Sequence, residues 1–390
     1  MRIQQPVPRL AGRMALMWVR LYRSVANFKI RTLRSLLFGG IPKDPGKILV
    51  FRTGSLGDSI CALPAIAQIK KNYPQAEIDI LTNAGASNLV SIQKLLSPEY
   101  YNNIIDYYGS AVPELTRQIR GNNYDLVIEL PQYDISLFRI LRNMIFFRFK
   151  TKIRKGFGWQ LDNVNAFRKA QNRHVIFEDE RTRLMNIVNR YTRQANNDLV
   201  FPLAITPDDK AVVENWITQN NIDASQPLIA IVPGAKRHAN TWPEENFKQV
   251  VEHFSPGAQL VLCGGENEKE LAGRLKNGHA KVWNACGVFT PVQTSAFFAR
   301  CRLVITNDTG PLHLAYAAGT PSVSIFSNRD YAHRWFPPQD GINKTFRATG
   351  IACAPCFLEK CPLDNKCLRA ISTGEVIAAA ETILGHLNNR

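Results

Sequence analysis

A carboxylate flanked by glycines follows a short apolar run: Arg52-Thr53-Gly54-Ser55-Leu56-Gly57-Asp58 comes directly after Ile48–Phe51. Gly54 and Gly57 permit backbone angles and close approaches that a side chain would block. Asp58 stands where a helix should start. It either caps that helix by accepting a backbone N–H or presents a carboxylate that works as a general base. An ionised aspartate repels phosphate, so its chemical partner would be a hydroxyl. The loop lacks the G-K-[ST] ending of a Walker motif, and its glycines do not follow the spacing G-x-G-x-x-G.

A second turn, Asn307-Asp308-Thr309-Gly310-Pro311-Leu312-His313, follows the apolar run Leu303–Thr306. Pro311 suits a first helical position. The free N–H groups and positive dipole end of such a helix start suit a diphosphate. His313 falls on the first turn, where it adds a hydrogen bond or positive charge or is simply packed in the core. Two more loops sit at strand ends. Val232-Pro233-Gly234-Ala235-Lys236-Arg237 carries two cations that suit phosphate. Cys263-Gly264-Gly265-Glu266-Asn267-Glu268 carries acids, and an acid so placed can bind a ribose hydroxyl. Solvated loop charges are the plainer reading of either.

The elements that must hold these turns alternate. Strands are expected at Ile48–Arg52, Glu77–Thr82, Tyr124–Leu130, Leu228–Val232, Gln259–Cys263, Leu303–Thr306 and Ser322–Phe326. Helices are expected at Ile60–Tyr73, Pro207–Gln219, Gln293–Arg300, Leu312–Ala318 and Gly374–Leu387, with Pro64 tolerated only in a first turn or at a kink. Strand–helix alternation of this kind means βαβ units and largely parallel sheets. The pattern breaks near Phe201-Pro202-Leu203 and restarts. That places domains at 1–46 (a basic arm and linker), 47–204 and 205–390. In open α/β sheets ligands bind outside the carboxyl ends of the strands, which is where all four loops lie.

Charge is unevenly spread over the 390 residues, whose formal net charge is +16. Residues 1–47 hold ten Lys or Arg against one acid, Asp44, and Leu137–Lys155 is a second acid-free basic patch. Leu10, Met14, Met17, Leu21, Val25 and Phe28 recur at helical spacing, with Arg9, Arg13, Arg20, Arg23, Arg31 and Arg34 on another side. Such a helix lies in a membrane interface or docks on the protein as a solvated helix. An Arg-rich, acid-poor transit peptide has a similar composition. No secretory signal is read, because Arg13 and Arg20 break the early apolar residues. No run reaches the ~20 apolar residues of a spanning helix. Basic residues interleaved with stacking aromatics in a known nucleic-acid module are not found, so nucleic acid is not the expected partner. The Phe146-Phe147 pair reads instead as an apolar insertion.

These residues resemble a known family. Lys47–Arg52 through Leu63-Pro64-Ala65, Gly264-Gly265-x-x-Glu268, and Asn307-Asp308-Thr309-Gly310-Pro311-x-His313-x-Ala315 through Gly319-x-Pro321 are similar to the family 9 glycosyltransferases, the heptosyltransferases of bacterial envelope synthesis. The resemblance runs from Lys47 to the C-terminus and implies a GT-B fold, with two Rossmann-like domains whose parallel sheets face a central cleft. It implies that the N-terminal domain takes the acceptor at Gly54, Ser55 and Gly57. Asp58 is then the base, and the sugar is transferred with inversion. Arg139 and Arg142 of the second basic patch suit acceptor phosphates. A nucleotide-sugar, ADP-heptose in the best-known members, falls to Gly234, Lys236, Arg237, Glu266, Glu268, Asp308, Thr309, Gly310 and His313. The acceptor would be a lipid-linked or phosphorylated saccharide at the inner face of the bacterial inner membrane, and the enzyme a peripheral one on anionic lipid. No metal or other cofactor is implied.

One departure concerns Asn240, which stands two residues before Trp242-Pro243 where many members have lysine; Lys236 and Arg237 lie upstream. The tail carries Cys353-x2-Cys356-x4-Cys361-x5-Cys367. Its spacing fits no standard zinc ribbon, so a structural metal, a disulfide and reduced thiols stay open. The alternative functions are a nucleotide-sugar epimerase on the same fold, a basic protein binding anionic lipid or nucleic acid, and an inactive scaffold.

Overall fold

The structure, a computed structural model, describes residues 10–84, 90–162, 177–195, 198–223, 225–338 and 340–388. The chain divides into two units, Met1–Pro202 and Leu203–Arg390. Among the described residues each unit has one sheet, and every strand pairing in both is parallel.

In the first unit β1 (Lys47–Phe51), β2 (Glu77–Thr82), β3 (Asn103–Asp106), β4 (Leu126–Glu129) and β5 (Gly156–Phe157) lie in the order β3-β2-β1-β4-β5. The strands at its centre read as continuous apolar runs because both faces are covered; Ile48, Leu49, Val50, Leu126, Val127 and Ile128 are all buried. The helices are α1 (Leu10–Phe38), α2 (Leu56–Asn72), α3 (Val112–Gly121), α4 (Leu137–Ile145), which runs on into one π-helical turn, Phe146–Lys150, and α5 (Glu180–Asn189).

Helix α2 begins at Leu56, earlier than the expected Ile60. The Asp58 carboxylate reaches back to the backbone N–H of Ser55 at 2.9 Å and starts the helix there. Pro64 is therefore inside the helix, where it forfeits one backbone hydrogen bond. Helix α1 docks on the first unit, but not through its expected apolar stripe. Val19, Ala26, Ile30 and Phe38 are the buried residues, and Phe38 stacks on Trp159 at 4.4 Å. Polar bonds reinforce the contact: Asn27 exchanges two 2.8 Å bonds with the backbone of Leu161, and Arg34 donates to the Gly156 carbonyl at 2.9 Å. Met14, Met17, Trp18, Leu21, Val25 and Phe28 stay exposed, Phe28 at 64%. In the second basic patch Phe147 is buried; the apolar residues facing solvent are Phe138, Ile145 and Phe149. Among the described residues no helix is long and apolar enough to cross a membrane.

In the second unit β6 (Leu228–Val232), β7 (Gln259–Leu262), β8 (Val282–Asn284), β9 (Leu303–Asn307), β10 (Ser322–Phe326) and β11 (Asn343–Arg347) lie in the order β11-β10-β9-β6-β7-β8. Around the sheet are α6 (Pro207–Gln219), α7 (Glu244–Phe254), α8 (Lys269–Lys276), α9 (Pro291–Phe298), α10 (Gly310–Ala317), the short α11 (Lys366–Arg369) and α12 (Thr373–Asn388). Its core joins Ile229, Ile231, Trp242, Phe247, Leu260, Ile305, Ile325 and Val376. With β6 and β9 adjacent at its centre, the loops after both strands emerge side by side at the carboxyl edge.

Candidate active site

The Asp58 turn is held from three directions. Asn83, fully buried beyond β2, brackets Gly54, accepting from its N–H at 2.9 Å and donating to its carbonyl at 3.1 Å. Gln132, beyond β4, donates to the Thr53 carbonyl at 3.1 Å. Gly54 is required by space: a Cβ there would lie 2.3 Å from the Asp58 Cβ. Arg52, buried at the end of β1, donates to the Leu130 and Pro131 carbonyls at 3.2 and 3.0 Å and to the Asp58 carbonyl at 2.9 Å.

Asp58 divides its two oxygens. Oδ2 accepts from the Ser55 backbone at 2.9 Å and from the Ser55 hydroxyl at 2.8 Å. Oδ1 has the Arg52 guanidinium 3.6 Å away, and the side chain is 21% exposed. The capping reading of Asp58 is met by Oδ2, and Oδ1 is not used by the cap. Behind it runs a row of alternating buried charges. Arg52 reaches Glu180 at 3.2 Å, Glu180 pairs with Arg183 at 2.6 Å, and Arg183 pairs with Asp162 at 2.5 Å. Each ion has an opposite partner, which offsets the cost of taking it from water. Arg139 and Arg142 are both exposed on α4, and Arg142 also bonds Tyr107 and Asn143. Glu129, at the end of β4, is a further buried carboxylate. Loss of hydration raises its pKa to about 7, although Asn143 donates to it at 2.8 Å.

In the second unit the loops after β6, β7 and β9 converge. Asn307 ties two of them, donating to the Pro233 carbonyl at 2.8 Å and accepting from the Trp242 N–H at 3.0 Å. Glu268 lies across Gly234, where a Cβ would come within 2.2 Å of its Cγ, and it also borders Gly264 and Gly265. These glycines make room for a carboxylate. Glu266 stands apart from Glu268, exposed and paired with Lys269 at 2.6 Å. Thr309 is the N-cap of α10, with Gly310 and Pro311 opening the helix.

Asp308 turns its carboxylate towards Asn240, whose amide donates to its carbonyl and to Oδ2 at 3.1 and 3.2 Å. Ser327 in turn donates to Asn240 at 2.7 Å. Loss of hydration and the neighbouring Asp330 carboxylate raise the Asp308 pKa to about 7, against the pull of Arg237, Arg329 and Arg334. His313 is buried, its Nδ1 2.5 Å from the Tyr316 hydroxyl and its ring edge-on to Trp335. Lys236 is exposed, while Arg237 bonds Glu359 at 3.0 Å, a carboxylate shared with Arg329. The expected two-cation loop thus leaves Lys236 open and ties Arg237 to the tail.

Asn83, Glu180 and Arg183 in the first unit, and Ser327, Arg329 and Arg334 in the second, escape a local reading. They arrive from elements remote in sequence, and no motif announces them. The four tail cysteines are free thiols. Among the described residues no group of three or more His, Cys, Asp or Glu side chains is placed to hold a metal ion, so the metal reading of that tail gains no geometric support.

The sequence pattern of Glycosyltransferase family 9 (heptosyltransferase) matches residues 112–367. The chain is 26% identical over 349 residues to lipooligosaccharide heptosyltransferase 2 of Campylobacter jejuni, covering 87% of this chain and 98% of the relative. It is 26% identical over 351 residues to lipopolysaccharide heptosyltransferase 3 of Escherichia coli, covering 84% and 95%. Among solved structures, a family 9 glycosyl transferase from Veillonella parvula superposes with a TM-score of 0.70 at 22% identity, over 89% of this chain and 99% of that one. The ADP-heptose lps heptosyltransferase II of E. coli superposes at 0.62 and 21% identity, over 88% and 99%. These likenesses show the fold, an α/β chain with two parallel sheets of the GT-B kind.

Proposed function

From the fact that the chain belongs to glycosyltransferase family 9 (heptosyltransferase), we propose that it moves heptose from ADP-heptose onto a lipopolysaccharide-core saccharide, with Asp58 as the base. The names of its relatives supply the donor and the class of acceptor. The family is one of transferases, so the epimerase reading gives way.

The observation that carries the catalytic part is the division of labour at Asp58. Oδ2 is spent on Ser55, which fixes the carboxylate plane, and Oδ1 remains for an acceptor hydroxyl. Asp58 takes the proton of that hydroxyl as its oxygen bonds to the anomeric carbon. The bond to the donor diphosphate breaks on the opposite side, and configuration inverts. Gly54, Ser55 and Gly57 shape the acceptor side of this turn, and the exposed Arg139 serves acceptor phosphates more readily than the engaged Arg142. On the donor side the start of α10 at Thr309 and Gly310 offers N–H groups to the leaving diphosphate. Lys236 and the Arg237–Arg329–Arg334 group add positive charge, a preorganised field of the kind that dominates many catalytic rates. Glu268, cradled by Gly234 and Gly264, suits a ribose hydroxyl. Asp308, raised to about 7, can donate a hydrogen bond when protonated.

Helix α1 supports peripheral membrane attachment. Its outward stripe of Met14, Met17, Trp18, Leu21, Val25 and Phe28 is exposed among the described residues. Basic residues flank it, as on helices that lie in the lipid interface. This arrangement suits work at the inner face of the bacterial inner membrane.

The test of the chemistry is Asp58→Asn, assayed with ADP-heptose and a heptose-deficient lipopolysaccharide acceptor. Transfer should fall by about a hundred- to ten-thousand-fold, with donor affinity and melting temperature kept. Undiminished transfer removes Asp58 as base.

A further inference from the structure

Under α1 the first unit has an open cleft of about 440 Å³ that the reaction described above does not use. Arg20, Arg23 and Arg31 line it from the helix, and Gln160, Asp162 and Arg190 from the body of the unit. Asp162 is the one carboxylate among these, and its charge is already committed: Arg183 holds it at 2.5 Å and Gln160 donates to it at 2.6 Å. Arg23 reaches the same carboxylate only at 3.4 Å, and its buried Nε has no hydrogen-bond partner among the described residues. Arg190 bonds the neutral Gln160 side chain at 3.0 Å. Arg20 and Arg31 are exposed at the rim. The cleft is therefore lined by four arginines and by one carboxylate that is spent elsewhere.

Like charges brought together repel unless an anion joins them. Guanidiniums present rigid forks that fit the oxygens of phosphate two at a time. A phosphomonoester carries up to two negative charges and three acceptor oxygens, which suits several forks converging on one space better than a phosphodiester does. Position points to the source. At 100° per residue Arg20 and Arg31 fall between the docked face of α1 (Val19, Ala26, Ile30) and its exposed apolar stripe. With the stripe in the acyl boundary, arginines on that flank lie at headgroup depth.

We propose that this cleft is a phosphate site that takes the phosphomonoester of an anionic lipid headgroup at the membrane surface. The assignment rests on the membrane reading of α1 given above.

The experiment is vesicle co-sedimentation of the full chain at fixed ionic strength. Phosphatidylcholine vesicles are doped either with phosphatidic acid, a phosphomonoester, or with phosphatidylglycerol, a phosphodiester, to equal surface charge. Binding to phosphatidic acid should be about five- to thirtyfold tighter, on the scale of one or two basic contacts near a surface. Inorganic phosphate, exchanged for chloride, should erase that preference. Arg20→Gln/Arg31→Gln, both at exposed positions that leave the Arg23–Asp162 pair alone, should lose the preference and keep the binding to phosphatidylglycerol. Equal binding to both vesicles, or a preference that survives in the variant, overturns the phosphate site while leaving membrane attachment standing. Failure to bind either vesicle overturns the membrane reading, and with it the lipid source. Saturable binding of inorganic phosphate that disappears in the variant would then assign the cleft to a soluble phosphate.

Discussion

Asp58 caps its own helix with one carboxylate oxygen and, in the function proposed above, uses the other as the base. As the third residue of α2 it closes a bond to Ser55, and the second oxygen of the same carboxylate stays available. Its setting depends on buried charge. Removing the Glu180 charge leaves Arg52 and Arg183 without a shared partner, so Glu180→Gln should cost about 3–5 kcal/mol of stability in urea unfolding; a loss under 1 kcal/mol would mean that water reaches the row. Glu129 carries a pH signature with a definite sign. Its pKa rises from 4.5 to about 7 in the folded protein, so the proton is bound more tightly when folded. Stability from this group is complete below pH 4.5 and is lost as pH rises through about 7. Glu129→Gln should therefore gain on the wild type between pH 5 and 8, by roughly 3 kcal/mol at the upper end. A constant difference across that range would contradict the raised pKa. Asp308, raised from 3.8 to about 7, acts with the same sign in the second unit.

Among the elements, α1 docks by a face that its pattern does not announce. Helical periodicity identifies an apolar stripe, read either as lying in a membrane interface or as docked on the protein. The structure buries a narrower face of Val19, Ala26, Ile30 and Phe38, held by Asn27, Arg34 and Arg148, and leaves the stripe outside. The two faces make opposite predictions. Trp18→Ser with Phe28→Ser should weaken binding to anionic vesicles at least tenfold and leave the melting temperature unchanged. Ile30→Ala should cost about 2–5 kcal/mol and leave vesicle affinity nearly intact. If the serine pair melts early instead, the stripe is packing surface. Deleting the whole helix would confuse the two effects, because it also uncovers the core around Phe38 and Trp159.

For the whole molecule, two parallel sheets in two units place every loop of chemical interest at a carboxyl edge. ADP-heptose at a hundred times its dissociation constant should add about 2.7 kcal/mol to the unfolding free energy of the second unit. Calorimetry in which neither of the two units shifts its melting would remove the donor assignment. Much of this order is legible in the chain. The apolar runs at Leu228–Val232 and Ser322–Phe326 are strands with those bounds, and Pro207–Gln219 is a helix with those bounds. Continuous apolar runs bounded by glycine and proline carry their own local physics, and the family motifs lie at their ends. The short edge strands β3, β5, β8 and β11 are missed, because only pairing with a neighbour makes two to five residues a strand. Residue chemistry and spacing determine the two turns and the parallel α/β class, and the resemblance of those motifs to known glycosyltransferases points to the family. Tertiary structure alone decides that Glu180, 128 residues away in sequence, backs Arg52, that Arg237 pairs with Glu359, and that α1 shows its apolar stripe to the outside. Those outcomes depend on which distant charges and surfaces meet, and a one-dimensional pattern does not encode the meeting.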